Sequence, residues 1–473
     1  MTETSLKEFL EWGSTRAVTP VVRRLFADSE TPMGLYRKLS RGPGSFLLES
    51  ADQAGKWSRY SFLGVSIHGV LAQDGERSVW RDHGMTGEDA FGSVVPENPL
   101  EALEVLHRRW LSEPLPDLPP FAGGLVGHIG WEAVRLVEHL PSQPPASHEV
   151  PAMHLALVRD FVAFDHHSSE VVLVALTHSL DAAGESEYQE ALARLDLMHE
   201  ALTQPTSSTL HRKTEPAEAA PQPSLDESQF FDLVARAKQH IEDGDVFQVV
   251  LSQQFEFHVE ANPLEVYRVL RSVNPSPYMY LLECEDVLGD PYHVVGSSPE
   301  ALVTLQRDKV YSHPIAGSRP RGSNVEEDQA FADALVADTK EQAEHLMLVD
   351  LARNDLSKVC QPGTVDVTEF MQVERFSHIM HLVSSVEGDL SPEKSAVDVF
   401  RATFPAGPLS GAPKPRALQI IDDLEPTQRG VYGGVVGYFG HTGDADLAIT
   451  IRTVWMQGSR AIVQAGAGIV ADS

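Results

Sequence analysis

The sequence predicts an α/β (α+β) sandwich, and three observations carry that prediction. Apolar runs of strand length, "FVAF" and "VVLVAL", lie in the first half. A helical segment opens the second half. Ser224 and Glu227 have capping-box spacing, and Phe230, Val234, Ala237 and Ile241 recur at helical intervals until Gly244 stops them. The stretch "VFQVVLSQQFEF" then alternates, with Phe247, Val249, Leu251, Phe255 and Phe257 on one side and Gln248, Ser252, Gln254 and Glu256 on the other. One side can pack on a core while the other lines a polar pocket. β-Rich runs alternating with long helices define a layered sandwich.

At 473 residues the chain exceeds one ordinary core, and two lobes are expected. The compositional break falls at residues 204–224, "QPTSSTLHRKTEPAEAAPQPS", an expected linker between residues 1–203 and 225–473. A net charge of −31 excludes a nucleic-acid binder and a protein held on an anionic membrane. An anionic ligand would therefore need local attraction, from an arginine, a metal, a helix N-terminus or turned backbone amides. Cys284 and Cys360 form no CxxC pair, and no apolar run has signal-peptide or membrane-spanning character, so a cytoplasmic setting is expected.

The helical segment "DTKEQAEHLMLVDLARND" puts Glu341, Glu344 and His345 on one face. Paired carboxylates suit a hard cation such as Mg²⁺, and a solvated acidic face is the plain alternative. His378 and His381, in "HIMHLVSSVEGD", sit next to apolar residues, a setting in which a histidine is more often a hydrogen-bonded core residue. "FPAGPLSGAPKPRA" is a Gly/Pro-rich loop running into a helix, a plausible anion cradle. "VYGGVVGYFG" and "QAGAGIVADS" are glycine-bearing strands that allow close approach of a ligand or of another backbone. Arg452, in "LAITIRTVW", is expected inside an apolar strand, where its guanidinium needs a partner and matches a carboxylate in two-point contact. Together these signals describe a metal-assisted site for a small carboxylated ligand.

In this order, "NPSPYMY", "EHLMLVDLxRND", "HIMHLVS", "FPAGxLSGAPK" and "AGAGIVADS" resemble the chorismate-utilising enzymes, most closely their anthranilate-forming large subunits. The resemblance runs from Leu47 to Ser473. It implies a two-lobed fold of layered antiparallel sheets flanked by helices. Glu344 resembles the family's Mg²⁺ ligand, with Glu341 beside it. Arg452 and the amides around Gly466 and Gly468 resemble the groups that hold the carboxylates of chorismate, with Tyr432 nearby. Glu300 matches the general acid for the leaving hydroxyl, and His381 the histidine tied to pyruvate loss. Pro408 stands where the family usually has a threonine near the substrate. Water-activating relatives carry lysine at the position of Gln248, and aminodeoxychorismate-forming relatives carry lysine at that of Ala316. With neither lysine, the resemblance implies ammonia as nucleophile and anthranilate as product.

Neither cysteine has a nucleophile-elbow context, so ammonia is expected from a separate glutamine amidotransferase subunit in a heterodimer or heterotetramer. The first half resembles a feedback region for L-tryptophan. Glu49, Ser50, Arg59, Asn274, Pro277, Tyr278 and Met279 would form its pocket, and Tyr438 would reach it from the second lobe. The family's chains continue beyond "GIVADS" into a helix with a second Mg²⁺ ligand, so a sequence cut short at Ser473 is expected. Other outcomes are an aminodeoxychorismate or aminodeoxyisochorismate synthase, or an impaired tryptophan-sensing protein.

Overall fold

A computed structural model describes residues 3–51, 59–206, 220–375 and 379–473. Its strands form one continuous antiparallel ladder that spreads in two arms from the strand Met153–Asp165, with helices packed along both. In the first arm Tyr60–Asp74 pairs with Phe46–Glu49, then Tyr278–Glu285, Pro291–Ser298, Thr453–Gln457, Arg460–Ile469 and Gln248–His258. In the second, Gly124–Ile129 pairs with Val435–Gly440, then Ala445–Ile449, Ala301–Gln306, Lys309–Ser312 and Ile379–Asp389. The expected mixed α/β fold of antiparallel sheets and flanking helices is what the chain adopts. Strands from before the 204–224 stretch pair directly with strands from after it, at Phe46–Glu49 and at Gly124–Ile129.

Local chemistry explains the element ends. The helix Glu227–Glu242 begins two residues later in its capping than the spacing at Ser224 predicts. Asp226 is the N-cap, and Gln229 closes the box. The Asp226 carboxylate accepts from the Gln229 N–H and suits the positive end of the helix. Ser224 is instead taken by a strand, its Oγ accepting the Gln254 N–H at 3.2 Å. The strand Gln248–His258 is buried on both sides along its first half, while Phe247 lies outside it and is 77% exposed. Arg452 lies between strands rather than inside one, with φ at +51°, a backbone state that non-glycine residues rarely occupy.

Where the two halves of the chain meet, space is very tight. A Cβ on Gly127 would sit 1.9 Å from the His154 carbonyl oxygen, in a strand flanked by Met153–Asp165 and Val435–Gly440. Backbone cannot retreat as a side chain can. Gly127→Ala should therefore destabilise the protein by about 1–3 kcal/mol. Urea denaturation reads this directly, and an unchanged midpoint would refute the close spacing.

Candidate functional site

Four elements converge on the acid, the arginine and the histidine. Glu300 follows the strand Pro291–Ser298, and its carbonyl accepts the Ile449 N–H at 3.0 Å. Burial pushes its carboxyl up to about 8, against smaller downward pulls from the Ile315 N–H and the Arg452 charge. The fold thus favours the neutral form of this carboxyl well above the ordinary carboxylate range. Arg452 lies close enough to influence both Glu300 and His381, and its charge depresses the latter in addition to burial. The His381 Nδ1 donates to the Gly317 carbonyl at 2.9 Å. A carbonyl only accepts, so this bond fixes the proton of the neutral ring on Nδ1.

The segment "HPIAGSRPRG" contains a strand, Ile315–Pro320, broken by a bulge at Gly317 with φ +66°. Ala316 is buried opposite Leu382. A Cβ on Gly317 would lie 3.0 Å from Glu341 Oε2, so this glycine joins His381 on its carbonyl side to the acidic helix on its Cα side. That helix, Thr339–Ser357, holds Glu341 and Glu344 near one another. Burial and then the Glu341 charge raise the Glu344 carboxyl. Glu341 is partly balanced by Arg319 at 3.7 Å. Repulsion between two carboxylates is the situation a divalent cation relieves, and Mg²⁺ needs only one or two protein carboxylates when substrate oxygens complete its shell. The residues fit that ion. His345 does not join them: it is fully buried, and its Nε2 meets Ser384 Oγ at 2.6 Å. Among the described residues no group of three or more His, Cys, Asp or Glu side chains forms a closed metal cage. His378 lies outside the described residues.

The other wall is made of strands Gln248–His258 and Arg460–Ile469. Gly466 faces Ser252 and Gly468 faces Val250 in register. Side chains approach both glycines closely. A Cβ on Gly466 would be 2.8 Å from the Tyr432 hydroxyl, and one on Gly468 would be 2.7 Å from Gln248 Nε2. Residues 465–468 are exposed, and beyond Val463 this strand has lost its pairing to Thr453–Gln457, so amides there face open space. Pro408 lies in the first turn of Gly407–Ser410, which packs near the acidic helix and near both strands.

The residues expected to hold tryptophan fall into three places. Glu49, buried, accepts from the Tyr267 hydroxyl and from Ser61 Oγ at 3.4 Å, and pairs with Arg271 at 3.4 Å. Met279 is its register partner, and the adjacent Ser50 hydroxyl is buried with no hydrogen-bond partner among the described residues. Asn274 caps a helix end nearby and bonds Ser297 Oγ at 3.2 Å, and Pro277 leads into the strand of Met279. Arg59 is drawn elsewhere. It holds Asp165 down at about 2 against the upward push of burial, with a bond of 2.7 Å. Tyr278 and Tyr438 gather around Asp446, whose carboxyl burial lifts to about 6. Tyr267, Arg271 and Ser297 were not singled out from the sequence. The i, i+4 spacing of Tyr267 and Arg271 in "PLEVYRVLRSV" was the available signal.

Set against known proteins, residues 55–473 match the family of chorismate binding enzymes. The chain belongs to that family. It is 49% identical to anthranilate synthase component 1 of Arthrobacter globiformis, over 99% of this chain and 88% of that protein. The same component of Mycolicibacterium smegmatis is 45% identical over 99% of this chain and 90% of its own length. The crystal structure of anthranilate synthase component I from Streptococcus pneumoniae TIGR4 superposes with a TM-score of 0.76 at 34% identity, covering 95% of this chain and 94% of that one. The isochorismate synthase MenF of Escherichia coli shares the fold, with a TM-score of 0.71 at 17% identity over 97% of this chain and 91% of its own.

The Glu300 carboxyl gives a titration that needs no substrate. Between its ordinary value of 4.5 and about 8, the folded chain keeps a proton that the unfolded chain has lost. Folding stability must therefore fall as pH rises through that window. Glu300→Gln should flatten the decline between pH 5 and pH 8 in urea denaturation. Parallel curves for variant and wild type would show that the carboxyl is not held neutral.

Proposed function

We propose that this enzyme is the chorismate-converting component of an anthranilate synthase, a lyase of tryptophan biosynthesis. The observation that carries the proposal is Glu300, a carboxylic acid kept protonated beside the Arg452 guanidinium and the Nδ1-protonated His381. Hydroxide is a poor leaving group, so displacing the ring hydroxyl of chorismate by ammonia calls for an acid with a raised pKa. Glu300 would give its proton to that oxygen as the new C–N bond forms, leaving an aminated intermediate and water. Pyruvate elimination then aromatises the ring, with His381 placed to move the second proton. Arg452 and the amides near Gly466 and Gly468 would hold the substrate's carboxylates, with Tyr432 closing the wall. Glu344, with Glu341 beside it, would hold Mg²⁺, which when bound neutralises and orients a substrate carboxylate.

The reading favours ammonia over water because Gln248 supplies no lysine to activate water, and anthranilate over an aminodeoxy product because Ala316 supplies no amine. Neither thiol could run a glutaminase. Both cysteines are buried and unpaired, burial raises each, and Cys360 is pushed up to about 11. A separate glutaminase subunit would then deliver ammonia in a heteromeric complex, and two buried reduced thiols suit the cytoplasm. We place tryptophan feedback in residues 1–203 together with the segment 274–279, and chemistry in residues 225–473. Support for the feedback site comes from the buried Ser50 hydroxyl beside Glu49, since an unpaired hydroxyl oxygen and a neighbouring carboxylate can both accept from a ligand ammonium.

Purified protein given chorismate, Mg²⁺ and ammonium salt should release pyruvate and fluorescent anthranilate together. Amination without pyruvate would instead identify an aminodeoxy-product enzyme, and neither signal would end the proposal. Glu300→Gln should lower kcat by about 10²–10⁴-fold, and wild-type activity should decline as pH rises through about 8. Ser50→Phe should keep catalysis while raising the tryptophan concentration that halves it. Unaltered inhibition would remove Ser50 from the pocket.

A further inference from the structure

A buried ion pair lies directly behind the wall that carries Gly466 and Gly468. Arg429 and Glu425 are 2% and 5% exposed. The guanidinium binds the carboxylate at two points, Nε to Oε2 at 2.8 Å and Nη2 to Oε1 at 2.6 Å. Its remaining donors reach two main-chain carbonyls, Leu409 at 2.7 Å and Val250 at 2.8 Å. Glu425 Oε1 also accepts both the N–H and the Oγ–H of Ser252, each at 2.8 Å. Gln464 Nε2 adds a bond to the same Ser252 hydroxyl at 2.8 Å. The guanidinium lies over the Trp131 ring at 4.1 Å, and its own carbonyl accepts the Tyr432 N–H at 3.3 Å.

The places this pair grips are not scattered. Val250 and Ser252 are the register partners of Gly468 and Gly466, and Leu409 immediately follows Pro408. Tyr432, held to Arg429 through the main chain, is the ring whose hydroxyl overlies Gly466. One side-chain pair therefore fixes the backbone behind both glycines, the loop of Pro408 and the tyrosine. Stability alone does not account for such a pair, because well-packed apolar residues replace buried ion pairs at little or no cost. A rigid, planar fork with five N–H donors does what an ammonium cannot, since it addresses a carboxylate and two carbonyls in fixed directions at once.

We propose that Arg429, with Glu425, is a positioning residue for the substrate-binding wall, setting the placement of the Gly466 and Gly468 amides and of the loop at Pro408. It touches no substrate and acts through Leu409, Val250 and Ser252. The inference rests on the proposed chorismate site, and wild-type turnover of chorismate tests that reading separately.

Arg429→Lys keeps the buried charge, so the carboxylate is not stranded, but it gives up the simultaneous grip on Leu409 and Val250. Expected is a rise of at least about tenfold in the KM for chorismate with kcat within about threefold, the pattern of lost ground-state binding. Amide hydrogen exchange, readable without any substrate, should quicken in peptides covering residues 405–413 and 464–470. Gly127→Ala, destabilised in a strand that pairs with neither strand of this wall, is the control: loss of stability alone should leave its KM unmoved. Should Arg429→Lys fail to fold, the neutral pair Glu425→Gln with Arg429→Gln removes the stranded charge and is expected to show the same KM rise. A folded variant with wild-type KM overturns the proposal. So does a KM rise of the same size in Gly127→Ala, which would make the effect one of stability.

Discussion

The strand Pro291–Ser298 must satisfy two neighbours at once, and the geometry of both candidate sites follows from that. One edge pairs with Tyr278–Glu285, the strand of Met279, and the other with Thr453–Gln457, which begins just after Arg452. Ser297 shows the constraint at a single residue. Its hydroxyl donates to the Asn274 carbonyl and meets Ser276 Oγ at 2.9 Å, while its N–H donates to the Arg452 carbonyl at 3.2 Å. Three residues on, the chain delivers Glu300. An antiparallel ladder has one register, so the cluster around Glu49 and the site around Glu300 share a rigid wall. Arg452 is held at a positive φ by the surroundings that this wall imposes.

Electrostatics in so acidic a chain are decided by burial rather than by net charge. With a formal charge of −31 the surface repels anions at long range. Within the fold, withdrawal from water raises Glu300, Glu132 and Asp446 to about 8, 7 and 6. Each is thereby shifted toward its neutral form. The same withdrawal makes an unpaired charge costly, which is why Arg429 is found with four donor contacts and an aromatic face.

Much of this was legible from residues alone, and the failures are instructive. Strand and helix positions followed from periodicity, because burial of one face imposes it. The glycines of "AGAGIVADS" were recognisable as sites of close approach, and the side chains that approach them are Tyr432 and Gln248. Local rules failed where a distant segment competed for the same group. Ser224 lost its cap role to Asp226 and went to Gln254 instead. Arg59 went to Asp165, which lies next to it only because Tyr60–Asp74 pairs with Met153–Asp165. Phe247 continued an alternating pattern on paper, yet the ladder begins one residue later, where Gln248 pairs with Ala412. The Glu425–Arg429 spacing is helical, but its helix ends at Leu424, so no periodic signal marked it.

The sequence by itself determined the inventory: which acids, arginines and glycines are present, in what order, and with two carboxylates one helical turn apart. These are properties of residue type and spacing, and they sufficed to point to the family. Tertiary structure alone decided which nitrogen of His381 carries the proton, that burial raises Glu300, that His345 belongs to the core, and that Arg429 stands behind the strands of Gly466 and Gly468. Each of those depends on water being excluded and on a partner far away in the chain. Neither solvent exclusion nor long-range register is written in any local stretch of residues.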